Sequence, residues 1–200
     1  MQSKLLIISI TLLALACTTA ASAQGTKKQL QRLSGTYTSV SAEDWGRGTY
    51  GHREFTFNQG QWRLRFTLAL DPNMQAKVFE FRTFGTYKVL GKSAHVAAYE
   101  AVFYEEKKFV TLLTDNQELI NGFGLGSCGL VPFQEQDISQ DGCALWPSVA
   151  DCHEDHDLLA LDDAGQLYFG VRPADNNMCT ANKRPKALLP PVKLTSNEGF

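Results

Sequence analysis

The sequence predicts a mainly β fold: a single open, curved antiparallel barrel of the meander type, with one short helix and disulfide-stapled loops. Three observations predict it. At least five β-prone segments follow one another across residues 34–104, joined by short turns. Within them, Trp62, Leu64, Phe66, Leu68 and Leu70 alternate with Arg63, Arg65, Thr67 and Ala69, the pattern of a strand with one buried face. Four cysteines, Cys128, Cys143, Cys152 and Cys179, crowd the C-terminal half, where the periodicity weakens.

The elements follow in chain order. Lys4, an apolar run over residues 5–16 and Ala21-Ser22-Ala23 predict an export signal over residues 1–23, leaving one barrel domain over 24–200. The apolar run is too short to span a bilayer. The expected location is therefore periplasmic or secreted, where disulfides persist. Cys17 loosely resembles a lipoprotein cleavage site, but Ala14 and Leu15 stand in the wrong order for that pattern. A membrane is expected as a partner only if Cys17 is lipidated.

Residues 34–40 are rich in β-branched and aromatic side chains and predict the first strand. Gly46, Gly48 and Gly51 predict a loop over 42–52. A strand over 54–57 turns at Asn58-Gln59-Gly60 into the alternating strand over 62–70, and Asp71-Pro72-Asn73 turns again. A long strand over 77–90 follows, with a bulge expected near Gly85. Gly91-Lys92-Ser93 leads into a strand over 95–104. Asp115 and Glu118 have capping-box spacing and predict a helix over 116–122, ended by the glycines that follow. Residues 130–155 read as irregular, with a short strand near 134–138. Strands over 156–161 and 166–172 flank the turn at Asp162-Asp163-Ala164-Gly165. The tail from Pro185, with Pro190-Pro191, reads as extended.

The even cysteine count in an exported chain favours two disulfides, with three possible pairings. The favoured pair is Cys128–Cys143, stapling the Gly-rich loop, with Cys152–Cys179 tying the tail to the strand near residue 156. No Cys-x-x-Cys pair supports a zinc site. The chain has 19 Lys and Arg against 21 Asp and Glu, a net charge of −2. That balance carries no footprint for nucleic acid.

Few residues suggest chemistry. Gly124, Gly126 and Gly129 match G-x-G-x-x-G in letters, but a helix precedes them and a loop follows, the reverse of what phosphate binding needs. Ser127 lacks the flanking glycine of a nucleophile elbow. Asp151, His153, Glu154, Asp155, His156 and Asp157 form the only dense set of metal-ligand types, with His153 and His156 as metal candidates. On a strand those histidines fall on opposite faces, and an acidic surface loop is the plainer reading. His52 and His95 are isolated. No catalytic residue and no cofactor are expected. The aromatic and aliphatic set Trp62, Leu64, Phe66, Phe79, Phe81 and Phe103 is the candidate ligand pocket. Inward residues of a barrel either fill its core or line a cavity.

A set of short motifs occurs in order: Phe55-Thr56-Phe57, Trp62-Arg63-Leu64, residues 81–87, Ala98-Tyr99-Glu100-Ala101, Gly126-Ser127-Cys128-Gly129, Asp141-Gly142-Cys143-Ala144-Leu145, Tyr168-Phe169-Gly170 and Lys183-Arg184-Pro185. This set resembles the domain of the adenomatosis-polyposis-coli-down-regulated family, whose vertebrate members are membrane-anchored antagonists of Wnt signalling. The resemblance covers about residues 30–194. It implies an open β-barrel whose apolar cavity accepts an acyl chain, hence a non-enzymatic binding module. This chain shows one copy of the domain and no C-terminal apolar run, so the vertebrate role is not expected to transfer. The expected partner is a hydrophobic small molecule or lipid. The alternatives are a protein partner met by a barrel with a filled core, through the Gly-rich loop or the tail, and a metal-dependent hydrolase.

Overall fold

The computed structural model describes residues 25–144 and 146–200. The export signal and Cys17 lie outside them. Eight strands close into an antiparallel barrel: β1 (Ser34–Ser39), β3 (Thr49–Asn58), β4 (Gln61–Ala69), β5 (Lys77–Lys92), β6 (Tyr99–Tyr104), β9 (Glu154–Leu161), β10 (Leu167–Phe169) and β11 (Val192–Ser196). Each pairs with the next in this order, and β11 returns to β1 with Tyr37 opposite Leu194 and Ser39 opposite Val192. Closure removes the free edges that a five-stranded meander would leave. The tail read only as extended therefore supplies a wall strand.

Local chemistry explains the hairpins. β3 and β4 meet at Gln59 and Gly60, both at positive φ (47° and 95°), which matches the right-handed twist of the strands. Residues 42–52 are not the expected loop. β2 (Glu43–Gly46) pairs with β3, and only Arg47 and Gly48 form the turn. Gly51 lies inside β3 because the Trp45 ring packs directly on it.

β5 is long enough to carry two partners on one edge. β6 pairs with its second half and β7 (Lys107–Leu112) with its first. Phe103 faces Tyr87 and Lys107 faces Phe84, so the extra residue sits at Glu105 and Glu106. The bulge is thus on the partner strand, not at Gly85. Gly85 is required there because a Cβ would run into the Tyr104 carbonyl oxygen. Beyond the bulge β6 pairs with β9, whereas β7 pairs with β8 (Glu135–Asp137). The wall divides at this point, where Lys108 bonds the Pro147 and Cys152 carbonyls and Glu105 N–H bonds the His153 carbonyl.

Both ends are covered. α1 (Lys27–Leu30), unforeseen from the sequence, is closed by a capping box between Thr26 and Gln29. It spans one end, from Gly25 N–H on the Leu161 carbonyl to Gln59 N–H on the Leu33 carbonyl. Leu30, Leu33, Tyr37, Phe57, Tyr87 and Leu167 pack beneath it. At the other end lies α2 (Gln117–Gly122). Its N-cap is Asn116, whose side chain accepts from Glu118 and Leu119 N–H, and not Asp115 as the spacing suggested. Residues 107–112 before it form β7, where no strand was expected. β10 ends at Phe169, short of the expected 172, because Val171 N–H bonds Ala187 and the chain then turns at Pro173.

The disulfides are Cys128–Cys143 and Cys152–Cys179, closing 15- and 27-residue separations. Two such bridges fit a chain folded in an oxidising compartment. Among the described residues no helix is long and apolar enough to cross a membrane. Removing either bridge by paired Cys→Ser substitution is expected to lower stability by about 3 kcal/mol, read from guanidinium midpoints. An unchanged midpoint in both variants would refute a structural role for the bridges.

Candidate functional site

Between the two end cores the barrel interior is not filled. A hollow of about 320 Å³ lies there. Its position explains the exposure pattern of β4. Trp62 and Leu68, at the ends of the inward face, are buried, while Leu64 and Phe66 between them are only half-buried. One wall is apolar: Leu64, Phe66, Leu68, Phe79 and Phe81 from β4 and β5. Trp146 completes it, stacked on Phe81 (4.8 Å between centroids, 5° between planes) and edge-on to Phe79 (5.1 Å, 83°). Trp146 is held by paired backbone hydrogen bonds to Cys143, which the disulfide ties to Cys128. The staple therefore positions an aromatic wall residue. Phe55 and Phe169 stack across the interior at 3.9 Å.

The rest of the lining is charged and mostly buried. Lys108 faces Thr83 across β7 and β5, which puts it on the inward face with Val110 and Leu112. Its ammonium donates to the Pro147 carbonyl (2.9 Å) and the Cys152 carbonyl (2.7 Å), and pairs with Glu105 (2.9 Å). All three donors are used. Burial pushes the Glu105 carboxyl up, Asp155 adds to this, and Lys108 opposes it. Asp155 on β9 accepts a fork from Arg172 at 2.8 and 3.3 Å. Arg53 on β3 forks onto Glu43 and donates to the Pro190 carbonyl, fastening the segment before β11.

Asp157 is the acid left over, since these three ion pairs account for Arg53, Lys108 and Arg172. Its Oδ1 accepts from Leu158 N–H (2.7 Å) and Gly170 N–H (2.8 Å). Gly170 is close enough that a Cβ would clash with that oxygen. Oδ2 has no protein partner among the described residues and is not occluded. The carboxyl is pushed up to about 7, first by burial and then by Asp155, against the pull of Arg172 and the two N–H donors.

Of the six candidate pocket residues, Leu64, Phe66, Phe79 and Phe81 line the hollow. Trp62 and Phe103 do not. They pack edge-to-face at 4.9 Å in the core beneath α1, nearer the turn where β3 meets β4. The acidic segment also differs from its reading as a surface loop. Glu154 and His156 point outward, but Asp155 and Asp157 share the inward face with Leu159. His153 is exposed, and His156 lies between Glu154 (3.0 Å) and Arg184 (3.1 Å) outside the hollow. Among the described residues no three His, Cys, Asp or Glu side chains converge as a metal site. His95 and Ser127 are exposed and His52 is half-buried, none of them at the hollow.

Sequence reasoning missed Arg53, Glu105, Lys108, Arg172 and Trp146, and met Asp155 and Asp157 only as members of the metal-ligand set read as a surface loop. A signal existed for some of them. Arg53 has the parity of Phe55 and Phe57, and Asp157 that of Leu159, so each is a charge at a core position of its strand. Compared with known proteins, the chain matches no family model and no curated protein.

Proposed function

We propose that the protein is an exported, non-enzymatic module that binds an apolar ligand, such as an acyl chain, in the barrel. One observation carries this reading: half-buried Leu64 and Phe66, with buried Phe79 and Phe81 beside them, face a hollow of about 320 Å³. A volume of this order falls at the lower end of small-ligand pockets. The resemblance to an acyl-accepting barrel family supports the same reading. Burial of methylenes supplies the driving force, at about 0.8 kcal/mol each.

Displacement of a fluorescent fatty acid by a homologous series of alcohols tests it. Affinity is expected to rise about fourfold per added methylene until the hollow is full. Leu64→Trp projects into the hollow and is expected to weaken binding by more than about tenfold while the fold is retained. Failure of every chain length to displace the probe would sink the proposal.

A further inference from the structure

We propose that the ligand is an amphiphile with a protonated amine head, its ammonium on Asp157 Oδ2 and its hydrocarbon between Phe66, Phe79, Phe81 and Trp146. This rests on the apolar-ligand reading above and names the chemistry of the head.

The argument is one of charge. The groups facing the hollow are Arg53 from β3, Glu105 from the bulge, Lys108 from β7, Asp155 and Asp157 from β9, and Arg172 after β10. Arg53 is forked on Glu43, Lys108 holds Glu105, and Arg172 holds Asp155. Each cation has its carboxylate, and Asp157 has none of its own. A carboxylate head would place a further negative charge beside Asp155 and Asp157, with no free cation among the described residues to receive it. Arg53 Nη1 has no partner among the described residues but is occluded within the wall. An ammonium does the opposite: it supplies the counter-charge to Oδ2 in a site of low dielectric, where such a bond is strong. The raised Asp157 carboxyl is the expected state of an acid held without this partner.

Dodecylamine, dodecanol and dodecanoate competing for a neutral fluorescent probe on the purified protein at about pH 8, where Asp157 is ionised, separate the possibilities. The amine is expected to bind about ten- to a hundredfold tighter than the alcohol, and the carboxylate most weakly. Asp157→Asn keeps the oxygen that accepts from Leu158 and Gly170 and is expected to bring the amine level with the alcohol. A second readout needs no variant. Amine binding to the wild type at about pH 7 should release a proton, seen as a buffer-dependent binding enthalpy, and the amine preference should shrink towards about pH 5. Equal or tighter binding of the alcohol or carboxylate overturns the proposal, as does an amine preference that survives Asp157→Asn. If none of the three displaces the probe, the apolar-ligand reading fails and this inference with it.

Discussion

Lys108→Met is expected to destabilise the protein by about 3–5 kcal/mol at neutral pH, the range for breaking a buried ion pair on one side. Lys108 is 1% exposed and Glu105 9%. The substitution removes the only cation bonded to Glu105 among the described residues and two donors to the Pro147 and Cys152 carbonyls. Glu105 must then stay charged without a partner or take up a proton. Its carboxyl is already pushed up with Lys108 in place, so losing Lys108 moves it further in the same direction. The penalty should therefore shrink as the pH falls, because protonation removes the uncompensated charge. Adding Glu105→Gln to Lys108→Met should recover a large part of the loss, since a neutral amide carries no such charge. Urea unfolding of both variants at several pH values provides the check. A single variant within about 1 kcal/mol of wild type would show that the pair is not buried as described.

The parts of this molecule legible in its sequence are those where one physical rule acts alone. β4 alternates because one face meets the interior and the other meets water, so the side chains at residues 62–68 report their direction directly. The Gln59-Gly60 turn and the two disulfides were legible for the same reason: each depends on local backbone or on a small set of pairings. Legibility failed where two rules compete. Gly46, Gly48 and Gly51 look like one flexible loop, yet Gly51 is a strand residue kept small by Trp45. β7 was hidden by the helix signals just after it, and its partner is the first half of a strand already paired with β4.

The charged half of the site was hidden more deeply. Carboxylates default to solvent, so residues 151–157 read as a surface loop. Pairing of β9 between β6 and β10 decides instead that Asp155 and Asp157 point inward. Trp146 has no strand periodicity and reaches the hollow from a loop stapled at Cys143 and held at Pro147 by Lys108.

Stability of the wild type is expected to fall as the pH rises from about 4 to about 7, the reverse of acid denaturation. Asp157 causes most of this. Its folded carboxyl titrates at about 7 against an ordinary value of 3.8, so between those limits the native state holds a proton that the unfolded chain has lost. A native state that binds more protons loses stability with rising pH, here by about 4 kcal/mol across the window if Asp157 acts alone. Glu105 is shifted in the same direction and adds to the slope. Asp137, lowered to about 2 mainly by Lys107 and Ser139, works the other way, but it is 42% exposed and acts only at lower pH. Asp157→Asn should flatten most of the slope and leave the variant more stable than wild type at about pH 8. Thermal unfolding from about pH 5 to 8 measures both curves; parallel curves would mean that Asp157 is not the titrating group. An amine-headed ligand couples to this equilibrium with a definite sign. It binds the ionised carboxylate, so it should raise stability most at the alkaline end, where the empty protein is weakest, and least where Asp157 is protonated.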